Sequence, residues 1–227
     1  MMDFSSLRLI VLAGHYGSGK THLAVNLALR WRAVRAPVAL ADLDIVNPYY
    51  RAKDAAAWLR EADVRLISSP FAGSNLDAPA VPPEMGQIFD DDTLCAVVDV
   101  GGDDRGALAL GRYADRIAAL RTARAVLWVI NPYRPLTGRV GDALAVMEEI
   151  EAAGNLRFTG IVNNANLGPE TTPEDVTASL PHAEALARET GLPLTLTAVR
   201  ADLLPAVADL VPNPFPLQIF HKPEWVL

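Results

Sequence analysis

The stretch Gly14-His15-Tyr16-Gly17-Ser18-Gly19-Lys20-Thr21 has the spacing G-x-x-x-x-G-K-T and follows the apolar run LRLIVLA. Glycines at that spacing let the backbone curl until successive N–H groups aim at one anion, and a following helix adds the positive end of its dipole. In such a loop Lys20 reaches the β and γ phosphates of a nucleotide and the Thr21 hydroxyl binds Mg²⁺. The backbone of Gly14, His15, Tyr16, Gly17, Ser18 and Gly19 would form the cradle. The alternative is a glycine-rich turn with an incidental lysine, against which the strand-loop-helix context speaks.

Carboxylates follow at two places. In VALADLDIVNPYYR the alternation of side chains along a strand sends Asp42 and Asp44 to one side, at the carboxyl edge where ligands of α/β sheets bind. Two carboxylates beside phosphates suit a magnesium shell and a water to be activated, although Asp44 could equally cap a turn before Asn47-Pro48. In LCAVVDVGG an apolar run ends at Asp99, a second anchor for hydrated Mg²⁺. Asp99 to Gly102 also reads D-x-x-G, which lets the Gly102 N–H approach a γ-phosphate. Asp103 or Asp104 then suits a helix N-cap. Farther on, VNNAN carries Asn164 and Asn166 where a guanine-binding N-K-x-D would place lysine and aspartate, which favours adenine. Asn163 is the expected base contact, or else a turn asparagine. The expected cofactors are ATP and Mg²⁺.

The elements that must position these residues alternate along the whole chain. Strands are expected at Leu7–Ala13, Val38–Asp42, Val64–Ile67, Leu94–Val100, Ala125–Ile130, Phe158–Val162 and Leu194–Val199, with an edge strand at Leu217–Phe220. Helices are expected at Thr21–Val34, Ala52–Ala62, Gly106–Leu120, Thr137–Ala153, Thr172–Thr190 and Ala201–Leu210. Alternation of this kind predicts an α/β fold with a three-layer, doubly wound, mostly parallel sheet, formed as one domain over residues 1–227. The irregular segment 68–84, rich in Pro, Gly and Ser, is expected to be a lid or a partner surface.

Charge and composition narrow the partners. A net charge of -7 over 227 residues disfavours nucleic acid and anionic membrane surfaces, which both need a positive field. The lone cysteine, Cys95, excludes an internal disulfide and a C-x-x-C metal site. The amino-terminal apolar run lacks a basic flank and reads as a strand; no run approaches the length of a membrane span, so a soluble, cytoplasmic protein is expected. The proline-rich tail, from Pro212 to Pro223, is not an amphipathic membrane helix. Asp90, Asp91 and Asp92 read as a solvated turn, Trp58 and Trp128 as packing residues, and His22 and His182 as helix-surface residues.

Taken together, GHYGSGKT, LADLDIVNPYYR, VVDVGGDD, VINPYRPLT and IVNNANLG resemble the MinD/ParA branch of phosphate-loop ATPases, which also contains iron–sulfur carrier ATPases and cobyrinate amidases. The resemblance covers nearly the whole chain. It implies a P-loop NTPase fold, with Asp42 near the metal, Asp44 orienting the attacking water, Asn131-Pro132 in place of the family's T-N-P, and Asn163 reading adenine. One departure stands out: the branch places a lysine that reaches across a dimer where this chain has His15, and a glycine where it has Tyr16. An imidazole does not replace a permanent ammonium, so Arg51 or Arg105 is expected to supply that charge. Two functions follow from the resemblance. One is an ATPase switch acting on a partner protein, with nucleotide-dependent homodimerisation. The other is an ATP-dependent ligase or kinase holding a small acceptor at residues 68–75 with Arg51 and Lys53.

Overall fold

The computed structural model describes residues 6–35, 37–44, 52–68, 82–102 and 104–220, without the side chains of residues 104 and 105. Its strands are β1 (Leu9–Ala13), β2 (Val38–Leu43), β3 (Val64–Ser68), β4 (Cys95–Val100), β5 (Arg124–Ile130), β6 (Gly160–Asn163), β7 (Leu194–Arg200) and β8 (Pro214–Leu217). They form one sheet in the order β3-β2-β4-β1-β5-β6-β7-β8, and every neighbouring pair is parallel. β1 lies between β4 and β5, where the winding changes direction, and a sheet of this kind binds ligands at the carboxyl end of such a point.

Residues of β1 are buried on both faces, and their alternation divides the core in two. Ile10 and Leu12 pack with Leu23, Leu27 and Trp31 of α1 (Lys20–Arg32) and with Leu59 of α2 (Ala56–Glu61). Leu9 and Val11 pack on the opposite face. That face is covered by α3 (Gln87–Asp90), α4 (Asp104–Gly111), α5 (Ala114–Ala119), α6 (Val140–Gly154) and, after α7 (Pro173–Ala178), by α8 (Leu180–Thr190). A small cluster of Val176, Val199, Val207 and Val211 joins α7 to α9 (Leu204–Val207). Trp31 and Trp128, one per face, are fully buried, as their packing role requires; Trp58 is partly exposed and rests on the ring of Phe220. Among the described residues no helix is long and apolar enough to cross a membrane.

Several expected elements change at prolines and glycines. The helix expected over Thr172–Thr190 breaks at Ser179, because Pro181 has no N–H and clashes with the preceding turn; it is accepted in the first turn of α8. The helix expected over Gly106–Leu120 divides into α4 and α5 after Gly111, where a Cβ would lie 3.3 Å from the Ala153 carbonyl oxygen. The helix expected at Ala201–Leu210 shrinks to α9, which starts where Pro205 can occupy its first turn. The edge strand lies three residues earlier than expected. The Asn213 carbonyl accepts from Thr197 N of β7 and the Leu217 carbonyl from Ala201 N just past it, so the backbone of odd-numbered residues of β8 faces the sheet and that of Pro214 and Pro216 faces outward. Prolines there present no donor to an incoming strand, which suits an edge.

Candidate functional site

The chain leaves β1 at Ala13, turns through residues 14–19, and enters α1 at Lys20. Gly19 closes the turn in the left-handed region, at φ 84°, and a Cβ there would lie 2.3 Å from Asn164 Nδ2. Backbone freedom and lack of bulk are both needed at this position. Lys20 is 6% exposed, and its ammonium donates to the His15 carbonyl at 3.0 Å. The same carbonyl accepts from the Ser18 N–H at 3.2 Å. His15 Nδ1 sits 3.1 Å from the Tyr16 carbonyl, a geometry met by an Nδ1–H that donates to its neighbour. Tyr16 is exposed and Thr21 is half-buried in the first turn of α1.

The carboxylates come from the strands on one side of this loop. Asp42 on β2 stands in register with Asp99 on β4, and Leu12 of β1 pairs with Asp99 from the other side. All three of Asp42, Asp44 and Asp99 are buried. Asp42 Oδ1 accepts from the Asp44 N–H at 2.9 Å, which fixes the chain as it leaves β2. Neither oxygen of Asp99 has a hydrogen-bond partner in good geometry among the described residues. Burial, then the nearby Asp42, push the Asp99 carboxyl up to about 8; Lys20 and the Thr21 hydroxyl oppose this, and Asp44 adds to it. A buried carboxyl so placed, at the mouth of a backbone cradle, fits a divalent ion. Among the described residues no group of three or more His, Cys, Asp or Glu side chains closes on one point. Thr21, Asp42 and Asp99 would therefore hold Mg²⁺ together with water and nucleotide oxygens, as this ion prefers. Behind Asp99, Gly102 packs so closely that a Cβ would meet Tyr16 Cα at 2.6 Å, bringing the two loops together backbone to backbone.

On the other side of the loop lies a pocket walled by Gly19, His22, Asn164, Asn166, Leu217 and Ile219, among others. Asn163, the expected base contact, is not among the residues that line it. β6 runs one residue longer than expected, so Asn163 stays in the sheet, fully buried, and donates to Ser179 Oγ at 2.7 Å. Asn164 and Asn166 face the pocket instead. Asn164 donates to the Ser18 carbonyl at 2.7 Å, and Asn166 donates to the Asn164 carbonyl at 2.9 Å. His22 is likewise more than a surface residue. It lines the pocket and lies 3.2 Å from the Phe220 carbonyl, while Asn26 exchanges hydrogen bonds with the Gln218 backbone, so residues 218–220 are strapped to α1. His182 is half-buried, its burial lowers its pKa, and the Thr137 backbone opposes that shift.

The loop after β5 carries Asn131, which the resemblance set in the family's T-N-P, and Arg134, which sequence reasoning passed over. Asn131, fully buried, accepts from Tyr133 N at 3.1 Å and donates to the Asn166 carbonyl at 3.0 Å. Arg134 donates from Nε to the Gly17 carbonyl at 3.0 Å. A signal for Arg134 lay in the polar NPYR following an apolar strand. Arg51 and residues 69–81, expected to serve a cation or an acceptor, lie outside the described residues, as do Asp103 and the Asp104 and Arg105 side chains; Lys53 sits in a short turn at Ala52–Ala55. Cys95 is buried in β4.

No protein-family model and no curated protein matches the chain. Solved structures do. Cell division protein FtsY from Thermotoga maritima is 22% identical with a TM-score of 0.59, over 85% of this chain and 62% of that one. Chloroplast FtsY from Physcomitrella patens is 17% identical with a TM-score of 0.57, over 84% of this chain and 58% of that one. The signal recognition particle 54 kDa protein from Aeropyrum pernix, in complex with GDP, is 18% identical with a TM-score of 0.55, over 85% of this chain and 41% of that one. This chain thus spans less than two thirds of the length of each. Likeness at these identities reaches as far as architecture: the chain has the α/β phosphate-loop nucleotide-binding fold.

Proposed function

We propose that this chain is a Mg²⁺-dependent nucleoside triphosphatase that binds ATP and changes conformation on hydrolysis, acting on a partner protein. The observation that carries the reading is the meeting at one sheet edge of a backbone cradle, a buried lysine parked 3.0 Å from a loop carbonyl, and buried carboxylates on β2 and β4. Lys20 would leave the His15 carbonyl for the β and γ phosphates, and Asp44 would orient water for in-line attack. Mg²⁺ bound there would neutralise charge on the transferring phosphoryl group. Catalysis of this kind needs positioning and electrostatics more than covalent chemistry from the protein. Contact between Gly102 and Tyr16 supports the switch, since a γ-phosphate arriving between the two loops would alter how they pack.

Adenine is favoured by the pocket beside Gly19. Guanine presents N–H donors that a carboxylate accepts well, and the described lining offers Asn164, Asn166, His22, Thr171 and Arg200 among small and apolar neighbours, and no carboxylate. The test is Mg²⁺-dependent phosphate release from ATP and from GTP over a wide range of protein concentration, with Lys20→Ala alongside. ATP should be hydrolysed and Lys20→Ala should lose nucleotide affinity. Preference for GTP would overturn the adenine assignment; unchanged nucleotide affinity in Lys20→Ala would overturn the site.

A further inference from the structure

A nucleoside triphosphate carries more negative charge than Mg²⁺ and one lysine neutralise, and at this site Asp42, Asp44 and Asp99 stand around it as well. Cations near the loop therefore matter. Apart from Lys20, the described cationic side chain that touches residues 14–19 is Arg134. Its loop is not slack. The Arg134 N–H donates to the Asn131 carbonyl at 3.1 Å, and the Arg134 carbonyl accepts from Thr137 N at 3.0 Å. Thr137 Oγ1 donates to the Asn131 carbonyl at 2.7 Å, and Tyr133 Oη donates to the Asp175 carbonyl at 2.7 Å. The guanidinium is thus delivered from a braced turn and packs against Gly17, where a Cβ would lie 3.2 to 3.5 Å from its Nε, Cδ and Cζ. Only Nε is spent on the Gly17 carbonyl; both Nη groups make no hydrogen bond to a described residue. The side chain is exposed at the rim of the cradle, free of any carboxylate partner among the described residues.

We infer that Arg134 is a second cation of the phosphate site, supplied by the same chain, whose Nη groups bond the terminal phosphate of a bound triphosphate. The inference rests on the nucleotide-site reading above and deepens it. A planar fork of donors suits phosphate oxygens, and a charge at the cradle's rim acts on the phosphate group farthest from the base. Arg134 then discriminates triphosphate from diphosphate, whereas a residue that merely braces Gly17 would serve both nucleotides alike.

The experiment measures affinity for MgADP and for Mg²⁺ with a non-hydrolysable ATP analogue, in the parent, Arg134→Ala and Arg134→Lys, with thermal unfolding of each without nucleotide. Loss of a charge-assisted hydrogen bond to phosphate should weaken the analogue by about tenfold to a hundredfold in Arg134→Ala. MgADP affinity should stay within roughly threefold, with Arg134→Lys in between for the analogue and the unfolding temperature unchanged. Equal weakening of both nucleotides, or a lowered unfolding temperature with an unchanged affinity ratio, would make Arg134 a brace and overturn the inference. A parent that binds neither nucleotide, nor the guanine pair, would overturn the site reading itself. A parent that binds MgADP as tightly as the analogue, with Arg134→Ala unchanged, would overturn the inference while leaving the site intact.

Discussion

Asp99→Asn should make the nucleotide-free protein more stable at alkaline pH than its parent, because the native carboxyl is held near 8 by burial and by Asp42. In the unfolded chain an aspartate titrates near 3.9. The folded state therefore binds more protons than the unfolded state between those values, and stability falls as pH rises through that window. The contribution is complete below the unfolded pKa and gone above the folded one. For one proton the slope is at most about 1.4 kcal/mol per pH unit. With a urea m-value of roughly 2 kcal/mol/M, the midpoint falls by up to about 0.7 M per pH unit. The assay is urea unfolding at pH 5, 6, 7 and 8 in the presence of chelator, parent against Asp99→Asn. General acidity, from the net charge of -7, acts on both proteins and cancels in the difference. Binding of MgADP should also release protons near pH 7 from the parent, read as a dependence of binding heat on buffer ionisation. Parallel curves for the two proteins would refute the argument, since the slope would then come from elsewhere.

Two further substitutions probe the cradle. Gly19→Ala forces a side chain into the left-handed region at about 1–2 kcal/mol and drives its methyl towards Asn164 Nδ2, 2.3 Å away. Lower thermal stability together with lost nucleotide binding is expected, and a fully active variant would contradict the contact. Asn131→Ala removes the partner of the Tyr133 N–H and of the Asn166 carbonyl from a fully buried position. It should lower stability by about 1–3 kcal/mol in urea unfolding. Nucleotide affinity should fall with it, because Asn131 ties the loop that carries Arg134 to the loop that carries Asn166.

The parallel sheet and the phosphate loop were legible because each is written locally. Runs of apolar residues such as LIVLA read as strands buried on both faces, and the glycine spacing before Lys20 needs no long-range information. Asp42 and Asp99 were legible as carboxylates at strand tips, though their direct pairing depended on β2 and β4 being neighbours, which only the strand order decides. Helix ends were harder. Pro181 is tolerated in a first turn and forbidden one turn later, so the break at Ser179 turned on where α8 begins.

Consecutive asparagines posed the sharpest ambiguity. Because side chains alternate along a strand, ending β6 at Asn163 instead of Val162 exchanges the residue that faces α7 and α8 for the residue that faces the pocket. A one-residue boundary therefore decides which asparagine lines the pocket, Asn164 and not Asn163, and no periodicity in VNNAN resolves it. Arg134 was hidden for a different reason. It lies 117 residues from Gly17 and approaches it only because β5 pairs with β1. The same adjacency sets Asn164 on the Ser18 carbonyl, so consecutive carbonyls of the phosphate loop are held by side chains from two neighbouring loops, themselves joined through Asn131 and Asn166. Carbonyls held in this way are fixed in direction, and a loop that cradles an anion needs its peptide groups fixed. Glycine spacing makes such a loop possible, and contacts from the loops after β5 and β6, far away in sequence, complete its surroundings.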